Sequence, residues 1–288
     1  MKVRKRQTDH IDNTNETKDK EMSGRSRLYT SVLLVLMALV AVTAATVAWF
    51  SIADNTKVKT MSLDIVADTD LRMDLDPHET IGQYVKTLSF ESIADRIQSE
   101  KGFSMRDKPL DPVTTSDEQI FTYENGTVVS DTSGAYLEFT LHFMAEKDMT
   151  VHLSSADSKS GAEDGTLVTS QNSALPQAMR ISFTADGQTW IYNPGMGNGS
   201  SQSGAAKIFG LPGTDQMQMT ADNAMFSLEE GQDKTVVVHI WLEGTDPACT
   251  DALKSADYSI RLRFAGEELD AQNKNKVTKT INKQGERK

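Results

Sequence analysis

Cysteine is almost absent from this chain of 288 residues, which contains only Cys249. A single cysteine excludes an intramolecular disulfide, so an exported folded domain must depend on its hydrophobic core. The thiol itself leaves two alternatives, a disulfide to a second chain or a small buried apolar side chain. The class of small secreted proteins stapled by several disulfides is therefore excluded.

Basic residues are also scarce outside the N-terminal end of the chain. Residues 1–27 hold eight of the 30 Lys and Arg residues and five of the 41 Asp and Glu residues, and residues 28–50 hold none. The 22 basic and 36 acidic residues that remain give residues 51–288 a net charge of −14. Such an acidic segment argues against nucleic acid as a partner and is compatible with divalent cations, or simply with solubility.

Complete catalytic motifs are missing from the chain. It contains neither the Gly-x-Ser-x-Gly pattern of a nucleophile elbow nor a Gly-x-x-x-x-Gly-Lys phosphate loop. A helical zinc-peptidase motif needs a second histidine four residues after the first, but Gly82 stands at that position after His78-Glu79. His142 and His152 are predicted to approach each other across a hairpin, yet two histidines do not complete a zinc site. We therefore predict that the chain is not an enzyme and has no cofactor.

One long apolar run is present, from Ser31 to Phe50, and it contains no charged residue. About 20 apolar residues in a helix cross the hydrocarbon core of a bilayer. Arg25 and Arg27 precede the run and Asp54 follows it, which predicts a cytoplasmic N-terminus. We therefore predict a basic cytoplasmic tail at 1–27, a transmembrane helix or signal peptide at 28–50 that meets the lipid bilayer, and an extracytoplasmic remainder.

The same run carries a candidate site for signal peptidase. Small residues fill Thr43 to Ala48, so cleavage between Ala48 and Trp49 would release the chain. The 27-residue leader, however, is long for the n-region of a signal peptide, which favours retention. Two localisations stay open: a membrane-anchored protein with its C-terminal domain outside, or a secreted or cell-surface protein.

Apolar and polar residues alternate with a period of two along much of the remaining chain. Side chains alternate across a strand, so this pattern predicts strands with one buried and one wet face. The alternating segments lie at 61–67, 71–75, 135–143, 149–153, 179–183, 236–242 and 258–264. Because only a short polar loop separates 135–143 from 149–153, these two strands are predicted to form a hairpin.

Turn and cap residues add further expectations. Asn125-Gly126 and Asp186-Gly187 each predict a tight hairpin turn. Short helices are predicted from Ser92 to Glu100, with a serine cap, and from Asp246-Pro247 through Leu253. We predict an all-β domain at 51–266, an antiparallel β-sandwich of jelly-roll type with short helical insertions, followed by a disordered polar tail at 267–288.

Acidic residues offer two candidate calcium sites. The row Asp68, Asp70, Asp74 and Asp76 shares one strand face, but it lacks a glycine turn and contains Arg72, so it is predicted to be a solvated face. The loop with Glu243, Asp246 and Asp251 is the better candidate, because a turn can bring its oxygens together. Its alternative role is that Asp246 only caps the helix that follows.

Both ends of the domain resemble a known family. The run ATVAWFSIADNTKVKTMSLDIVADTDLRMDLD, with Ala48-Trp49-Phe50 after the apolar segment, resembles the start of exported Gram-positive proteins of the TasA/camelysin group. The closing strand SIRLRFAG, from Ser259 to Gly266, is similar to that group's last strand, and VVVHIWLEGTDPAC, from Val236 to Cys249, resembles uncharacterised clostridial relatives. The resemblance covers about a third of the chain, and Trp49 is bulkier than the residue at which the group is usually cut.

The resemblance implies a surface or biofilm-matrix role and a jelly-roll fold. Fibre-forming members of the group lend an N-terminal strand to a neighbour, a form of β-augmentation. In this chain that strand would be Lys57–Val66, which is therefore the candidate segment for self-association. The alternatives are a camelysin-like metal-dependent peptidase and a monomeric binding module on the surface.

Overall fold

The structure is a computed structural model that describes residues 29, 31–37, 57–66, 70–155, 165–212, 223–250, 253 and 256–269. The chain divides into two compact units, Met1–Ala48 and Trp49–Lys288. In the first unit residues 31–37 are helical, and the apolar side chains from Val32 to Met37 are each more than half exposed. No helix within the described ranges has both the length and the apolar character needed to span a membrane.

The second unit is built mainly from strands. In chain order they are β1 Val58–Ile65, β2 Leu71–Asp74, β3 Thr87–Leu88, β4 Pro112–Thr115, β5 Phe121–Thr122, β6 Leu137–Ala145, β7 Met149–Leu153, β8 Leu167–Ser170, β9 Met179–Ala185, β10 Gln188–Tyr192, β11 Gly199–Ser203, β12 Ala206–Gly210, β13 Ser227–Leu228, β14 Lys234–Glu243 and β15 Tyr258–Glu268. Two helices, α1 Phe90–Lys101 and α2 Leu175–Ala178, and a 3-10 turn at Ile81–Gln83 complete the described elements. β15 thus runs two residues into the segment predicted to be a polar tail.

These strands form two sheets. Sheet A has six strands in the order β13-β7-β15-β1-β3, with β8 also paired to β15. Sheet B has nine strands in the order β11-β12-β10-β9-β14-β4-β5, with β6 also paired to β14 and β2 to β6. The long strands β15 and β14 are therefore the central strands of sheet A and sheet B.

Both sheets are mixed, so the prediction of a purely antiparallel arrangement is wrong. β1 runs parallel to β15, β10 parallel to β12, and β14 parallel to β4. Parallel neighbours need a long connection rather than a tight turn. The alternation of side chains predicts which face of a strand is buried, but it carries no information on the direction of the neighbouring strand.

The hairpin predicted between 135–143 and 149–153 is also wrong. β6 pairs with β14 and β2 in sheet B, whereas β7 pairs with β15 and β13 in sheet A. The residues between them cross from one sheet to the other and are held by the loop before β14: Gly231 N donates to Ala145 O at 2.9 Å, and Glu230 N donates to Asp148 Oδ1 at 2.8 Å.

Both predicted turns are confirmed, and the predicted helices are confirmed in part. Val129 N donates to Phe121 O across the Asn125-Gly126 turn, and β9 and β10 meet at Asp186-Gly187, where both residues have positive φ. Helix α1 begins two residues before the predicted start, because its N-cap is Ser89, whose Oγ accepts from Ser92 N. After Asp246-Pro247 the chain forms turns up to residue 250, with Ala248 N donating to Asp246 Oδ1 at 2.8 Å, and Leu253 is in 3-10 conformation. Residues 251 and 252 of the predicted helix lie outside the described residues.

The main hydrophobic core combines side chains from both sheets. The ring of Phe264 on β15 lies 5.1 Å from that of Phe143 on β6 and 5.7 Å from that of Phe183 on β9. Helix α1 adds Ile93 and Ile97, both fully buried.

A second, smaller hydrophobic cluster lies on the opposite face of sheet B. Trp241 belongs to it, while its neighbours Ile240 and Leu242 belong to the main core. Residues of the β4–β5 region cover this face, and the ring of Phe121 stacks on that of Tyr136 with centroids 4.1 Å apart. Sheet B is therefore buried on both faces at this point, a feature that the alternating pattern did not predict.

Candidate functional site: the first strand and its anchors

The predicted self-association segment Lys57–Val66 is, in this structure, paired within its own chain. β1 follows β15 in parallel from Val58 opposite Tyr258 to Ile65 opposite Phe264. The ladder continues at both ends, where Tyr258 N donates to Lys57 O at 3.0 Å and Val66 N donates to Phe264 O at 2.9 Å. The first described strand of the unit is thus paired over most of its length with the last described strand.

The buried face of β1 supplies four side chains to the main core. Val58, Met61, Leu63 and Ile65 are each at most 6% exposed. Burial of an aliphatic side chain of this size contributes about 1.5–3 kcal/mol, so the four together contribute roughly 6–12 kcal/mol. β1 is therefore a structural part of the core and leaves a long apolar groove if it is withdrawn.

The other edge of β1 is only partly covered. β3 pairs with Leu63 and Asp64, and Ile65 N donates to Lys86 O at 2.9 Å. No strand within the described ranges pairs with the edge from Val58 to Ser62. Lys59 is exposed on this stretch of β1, and a register shift between Val58 and Thr60 interrupts the neighbouring β1–β15 ladder. Lysines discourage edge-to-edge pairing, so the main pairing surface of β1 is the one that it shares with β15.

A polar cluster anchors the segment that leads from β2 to β3. The Tyr84 hydroxyl donates to Asp233 Oδ1 at 2.7 Å, and His142 Nδ1 lies 2.9 Å from Asp233 Oδ2. His78 N donates to Tyr84 Oη at 2.9 Å, and His78 Nε2 lies 3.5 Å from Asp74 Oδ2. Burial, together with the hydrogen bond to Asp233, raises the pKa of Tyr84 to about 12, so the hydroxyl remains a donor at physiological pH.

A second polar network lies beneath the smaller hydrophobic cluster. Glu138 on β6 accepts from His239 Nε2 at 3.1 Å and from Lys101 Nζ at 2.7 Å, and Lys101 also lies 3.0 Å from Asp131. The hydrogen bond from His239, and then that from Lys101, lower the pKa of Glu138 to about 2 against the opposing effect of burial. Glu138 is thus an ionised carboxylate that ties α1 and β14 to β6.

Ser182, His239 and Glu138 stand in a row across three neighbouring strands, an order that superficially suits nucleophilic catalysis. Ser182 Oγ lies 3.5 Å from His239 Nδ1, at the outer limit of a hydrogen bond, and Ser182 is fully buried. The serine also sits in the middle of β9, bonded to strands on both sides rather than on an exposed turn. The row therefore has the geometry of a structural network.

The carboxylate oxygens of Glu243 and Asp246, in the predicted calcium loop, are engaged in hydrogen bonds and an ion pair within the protein. Glu243 Oε1 accepts from Thr245 Oγ1 at 2.6 Å and Glu243 Oε2 accepts from Trp241 Nε1 at 3.0 Å. Asp246 caps the turn with one oxygen and pairs with Arg180 through the other. Asp251, the third candidate, lies outside the described residues. A guanidinium beside Asp246 neutralises the charge that would attract a cation.

The other predicted metal candidates are separated. His142 and His152 lie on different sheets, so they do not face each other across a hairpin. Asp76 pairs with Arg96 at 2.6 Å, and this contact lowers the pKa of the Asp76 carboxyl. Asp68 lies outside the described residues. Within the part of the chain that the structure describes, no group of three or more His, Cys, Asp or Glu side chains is placed to hold a metal ion.

Two further predictions concern Cys249 and the cleavage site. The thiol of Cys249 packs against the main core, and burial raises its pKa to about 12. Cys249 is partly buried, and this environment fits a small apolar side chain rather than a reactive thiol. Ala48 and Trp49, the candidate cleavage residues, lie outside the described residues.

Comparisons with protein-family models, with curated proteins and with solved structures find no match to this chain.

The sequence did not predict the polar cluster at Asp233 or the network at Glu138. Both are formed by residues on different strands. Glu138 and His239 are 101 positions apart but oppose each other in register, as do Asp74 and His142 on β2 and β6. The sequence places histidines and acidic residues in alternating segments, but it does not show which of them are opposite each other. These pairs can be recognised only when the strand pairing is known.

Proposed function

We propose that this chain is a non-enzymatic structural or adhesive protein of the cell surface or extracellular matrix, a fibre or biofilm-matrix subunit. In this proposal the two sheets form a jelly-roll-like sandwich, residues 28–50 direct the chain to the membrane, and copies assemble when β1 of one copy pairs with β15 of the next. The resemblance to the TasA/camelysin group motivates the role, and β1 supplies the physical mechanism.

The observation that carries the proposal is the placement of β1. It is the first described strand of its unit, it is parallel to the last, and only three residues, 67–69, separate its flanking residue Val66 from Asp70 before β2. Its bonds to β15 and its four core side chains can be supplied equally well by an identical strand from a second copy. Exchange of an identical element preserves every such contact, so concentration and the connecting segment decide the balance.

Export is supported by one feature of the N-terminal unit. The helical residues from Val32 to Met37 expose apolar side chains, as a segment intended for lipid does. A released chain has β1 close to its free end, whereas an anchored chain holds β1 beside the bilayer, so the N-terminal residue of the mature protein decides how readily copies exchange β1.

Exchange of β1 for a peptide of the same sequence tests the mechanism. A chain that starts at Trp49 and keeps its own β1 is mixed with a labelled synthetic peptide of residues 57–66, and binding is measured by fluorescence anisotropy. We expect slow, saturable binding, because the peptide can take the place of β1 along β15 with the same contacts. The matched control peptide carries Leu63→Asp, which places a charge at a fully buried core position and is expected not to bind.

Assembly itself is followed by light scattering of the chain that starts at Trp49. We expect concentration-dependent assembly that an excess of the peptide of residues 57–66 suppresses and an equal excess of the Leu63→Asp peptide does not. If the wild-type domain stays monomeric at every concentration while its β1 remains exchangeable with the peptide, the monomeric surface binding module replaces the fibre subunit.

A further inference from the structure

The chain contains two Asn-Gly pairs, Asn125-Gly126 and Asn198-Gly199. In such a pair the asparagine side chain can react with the next backbone nitrogen, because glycine has no Cβ to obstruct the approach. Both asparagines are exposed. Apart from chain neighbours, nothing lies within 4 Å of a Cβ added at Gly126 or at Gly199. Exposure and space therefore do not distinguish the two pairs.

Hydrogen bonds hold the Asn125-Gly126 pair in its turn. Asn125 Oδ1 accepts from Thr127 N at 2.9 Å, which fixes the side chain. Gly126 N donates to Tyr123 O at 2.9 Å, so the nitrogen that would have to react is already engaged. Tyr123 N in turn donates to Thr127 O at 3.0 Å and closes the hairpin beside the turn. A reaction at Asn125 therefore requires the turn to open first.

The Asn198-Gly199 pair lies at the start of an edge strand. The Asn198 side chain makes no hydrogen bond to another residue in the part of the chain that the structure describes. Gly199 forms the terminal pair of the β11–β12 ladder, opposite Gly210, and all five residues of β11 are exposed. The ends of a ladder at a sheet edge open at little cost in free energy. The backbone at Gly199 can therefore reach a reactive conformation more readily than the turn at Gly126.

We propose that Asn198 deamidates spontaneously in the folded protein and that the isoaspartate formed there releases β11 from β12. The backbone nitrogen of Gly199 loses its proton and forms a bond to Cγ of Asn198. The bond from Cγ to Nδ2 breaks, and Nδ2 leaves with that proton as ammonia, which closes a succinimide ring.

Water then opens the ring. Its hydroxyl adds to one of the two ring carbonyl carbons, the bond from that carbon to the ring nitrogen breaks, and the nitrogen takes the other proton of the water. The new carboxylic acid gives its proton to the ammonia, so the products are a carboxylate and an ammonium ion. Attack at one carbonyl carbon gives aspartate. Attack at the other gives isoaspartate, in which the main chain runs through the side chain and is one carbon longer.

The longer main chain falls where the backbone has no room for it. Gly199 is in register with Gly210, and the carbonyl oxygen of Gly197 lies so close to Gly210 that an added Cβ would collide with it. The residues on both sides of Asn198 thus meet the same residue of β12, and an extra carbon between them forces one of the two contacts apart. Because the side chains of β11 are exposed and outside the hydrophobic core, the rest of the fold is expected to persist.

Peptide mapping of the stored full chain tests the site. The chain is incubated at pH 8 and digested, and mass spectrometry measures the conversion of amide to acid in the peptides that contain Asn125 and Asn198. We expect Asn198 to convert at least about tenfold faster than Asn125, because Asn125 must first lose the two hydrogen bonds of its turn. In guanidinium the two rates are expected to become similar. Faster conversion at Asn125 in the folded chain, or a ratio that is the same with and without guanidinium, overturns the assignment.

Two variants separate the longer main chain from the added charge. Asn198→Asp carries the charge of the product on a main chain of ordinary length, and Asn198→Gln keeps the amide but would have to close a larger ring, so it is expected to stay unreacted. Hydrogen exchange of residues 199–203 is measured in both variants and in fresh and stored wild-type protein, with β6 as the internal control. We expect faster exchange in stored wild-type protein alone. Equal exchange in fresh wild-type protein and in stored protein that contains isoaspartate, or equally fast exchange in Asn198→Asp, overturns the release of β11 by isoaspartate.

Discussion

Glu138 illustrates how a single side chain links separate elements of this fold. Its carboxylate receives hydrogen bonds from His239 on β14 and from Lys101 at the end of α1. Its pKa of about 2 lies below its ordinary value of 4.5, so the ionised form is favoured by folding. A group with a lowered pKa stabilises the fold above its unfolded pKa, and this contribution disappears as the pH falls from about 4.5 to about 2.

The first prediction is the effect of Glu138→Gln. We expect the variant to lose on the order of 2–3 kcal/mol in the free energy of unfolding at pH 7, and the difference from wild type to shrink towards zero near pH 2. Denaturant unfolding from pH 2 to pH 7 measures it. Glu124→Gln is the matched control, because Glu124 is exposed at the turn of the β5 hairpin and is expected to change stability little. A constant difference between Glu138→Gln and wild type at every pH contradicts the assignment.

A second prediction at the residue scale concerns Cys249. Because burial raises the pKa of its thiol from 9.0 to about 12, the thiolate fraction near pH 8 is roughly a thousandfold lower than for a free thiol. We expect labelling by iodoacetamide to be correspondingly slow in the folded protein and to become fast in guanidinium. Rapid labelling of the native protein, or a disulfide-linked dimer in wild-type material, would restore the intermolecular alternative.

At the scale of elements, local residue patterns correctly predicted strands and turns, but they did not predict which strands pair. Alternation identified β1, β2, β6, β7, β9, β14 and β15, and Asn125-Gly126 and Asp186-Gly187 identified two turns, because these signals depend on neighbours in sequence. The predicted hairpin of β6 and β7 was wrong because either strand alternates in the same way whether it turns back or crosses to the other sheet. Partner choice depends on contacts between residues far apart in the chain.

For the candidate site too, the strand could be predicted from the sequence and its partners could not. The segment Lys57–Val66 could be identified as a strand from its alternation, and the resemblance pointed to it as the exchangeable one. Its parallel pairing with β15, and the histidine–carboxylate pairs at Asp233 and Glu138, could not be predicted, because each joins residues about 90 to 200 positions apart. The ionic contacts of the acidic loop, such as Arg180 with Asp246, are of this kind too.

The third prediction concerns Gly210, the last residue of β12, which lies close to the backbone of Gly197. A Cβ added to Gly210 would lie 1.7 Å from the carbonyl oxygen of Gly197, and backbone cannot move aside as a flexible side chain can. We expect Gly210→Ala to destabilise the fold by at least about 2 kcal/mol, measured by thermal unfolding. Gly82→Ala is the control, since nothing lies within 4 Å of the added Cβ, and its melting temperature is expected to stay close to wild type. Equal melting temperatures for the two variants would contradict the packing of β11 and β12.

At the scale of the whole molecule, the first and last described strands of the second unit lie side by side. This arrangement makes the fold depend on a strand that is close to one end of its unit and is held through β15 and the core rather than by a hairpin. Loss of β1 would open the groove along β15, and in the proposed assembly an identical strand from a second copy fills it.

Disulfide trapping between β1 and β15 tests this claim most directly. Thr60 and Ser259 are partners in register on the solvent side of the two strands, so Thr60→Cys with Ser259→Cys, in a Cys249→Ala background, reports which molecule provides β1. Thr140→Cys with Val237→Cys on β6 and β14 is the matched control pair, expected to cross-link only within a chain. After assembly and oxidation, the account predicts a ladder of covalent multimers on a non-reducing gel for the β1–β15 pair. Assemblies in which this pair cross-links only within single chains, like the control, would contradict it.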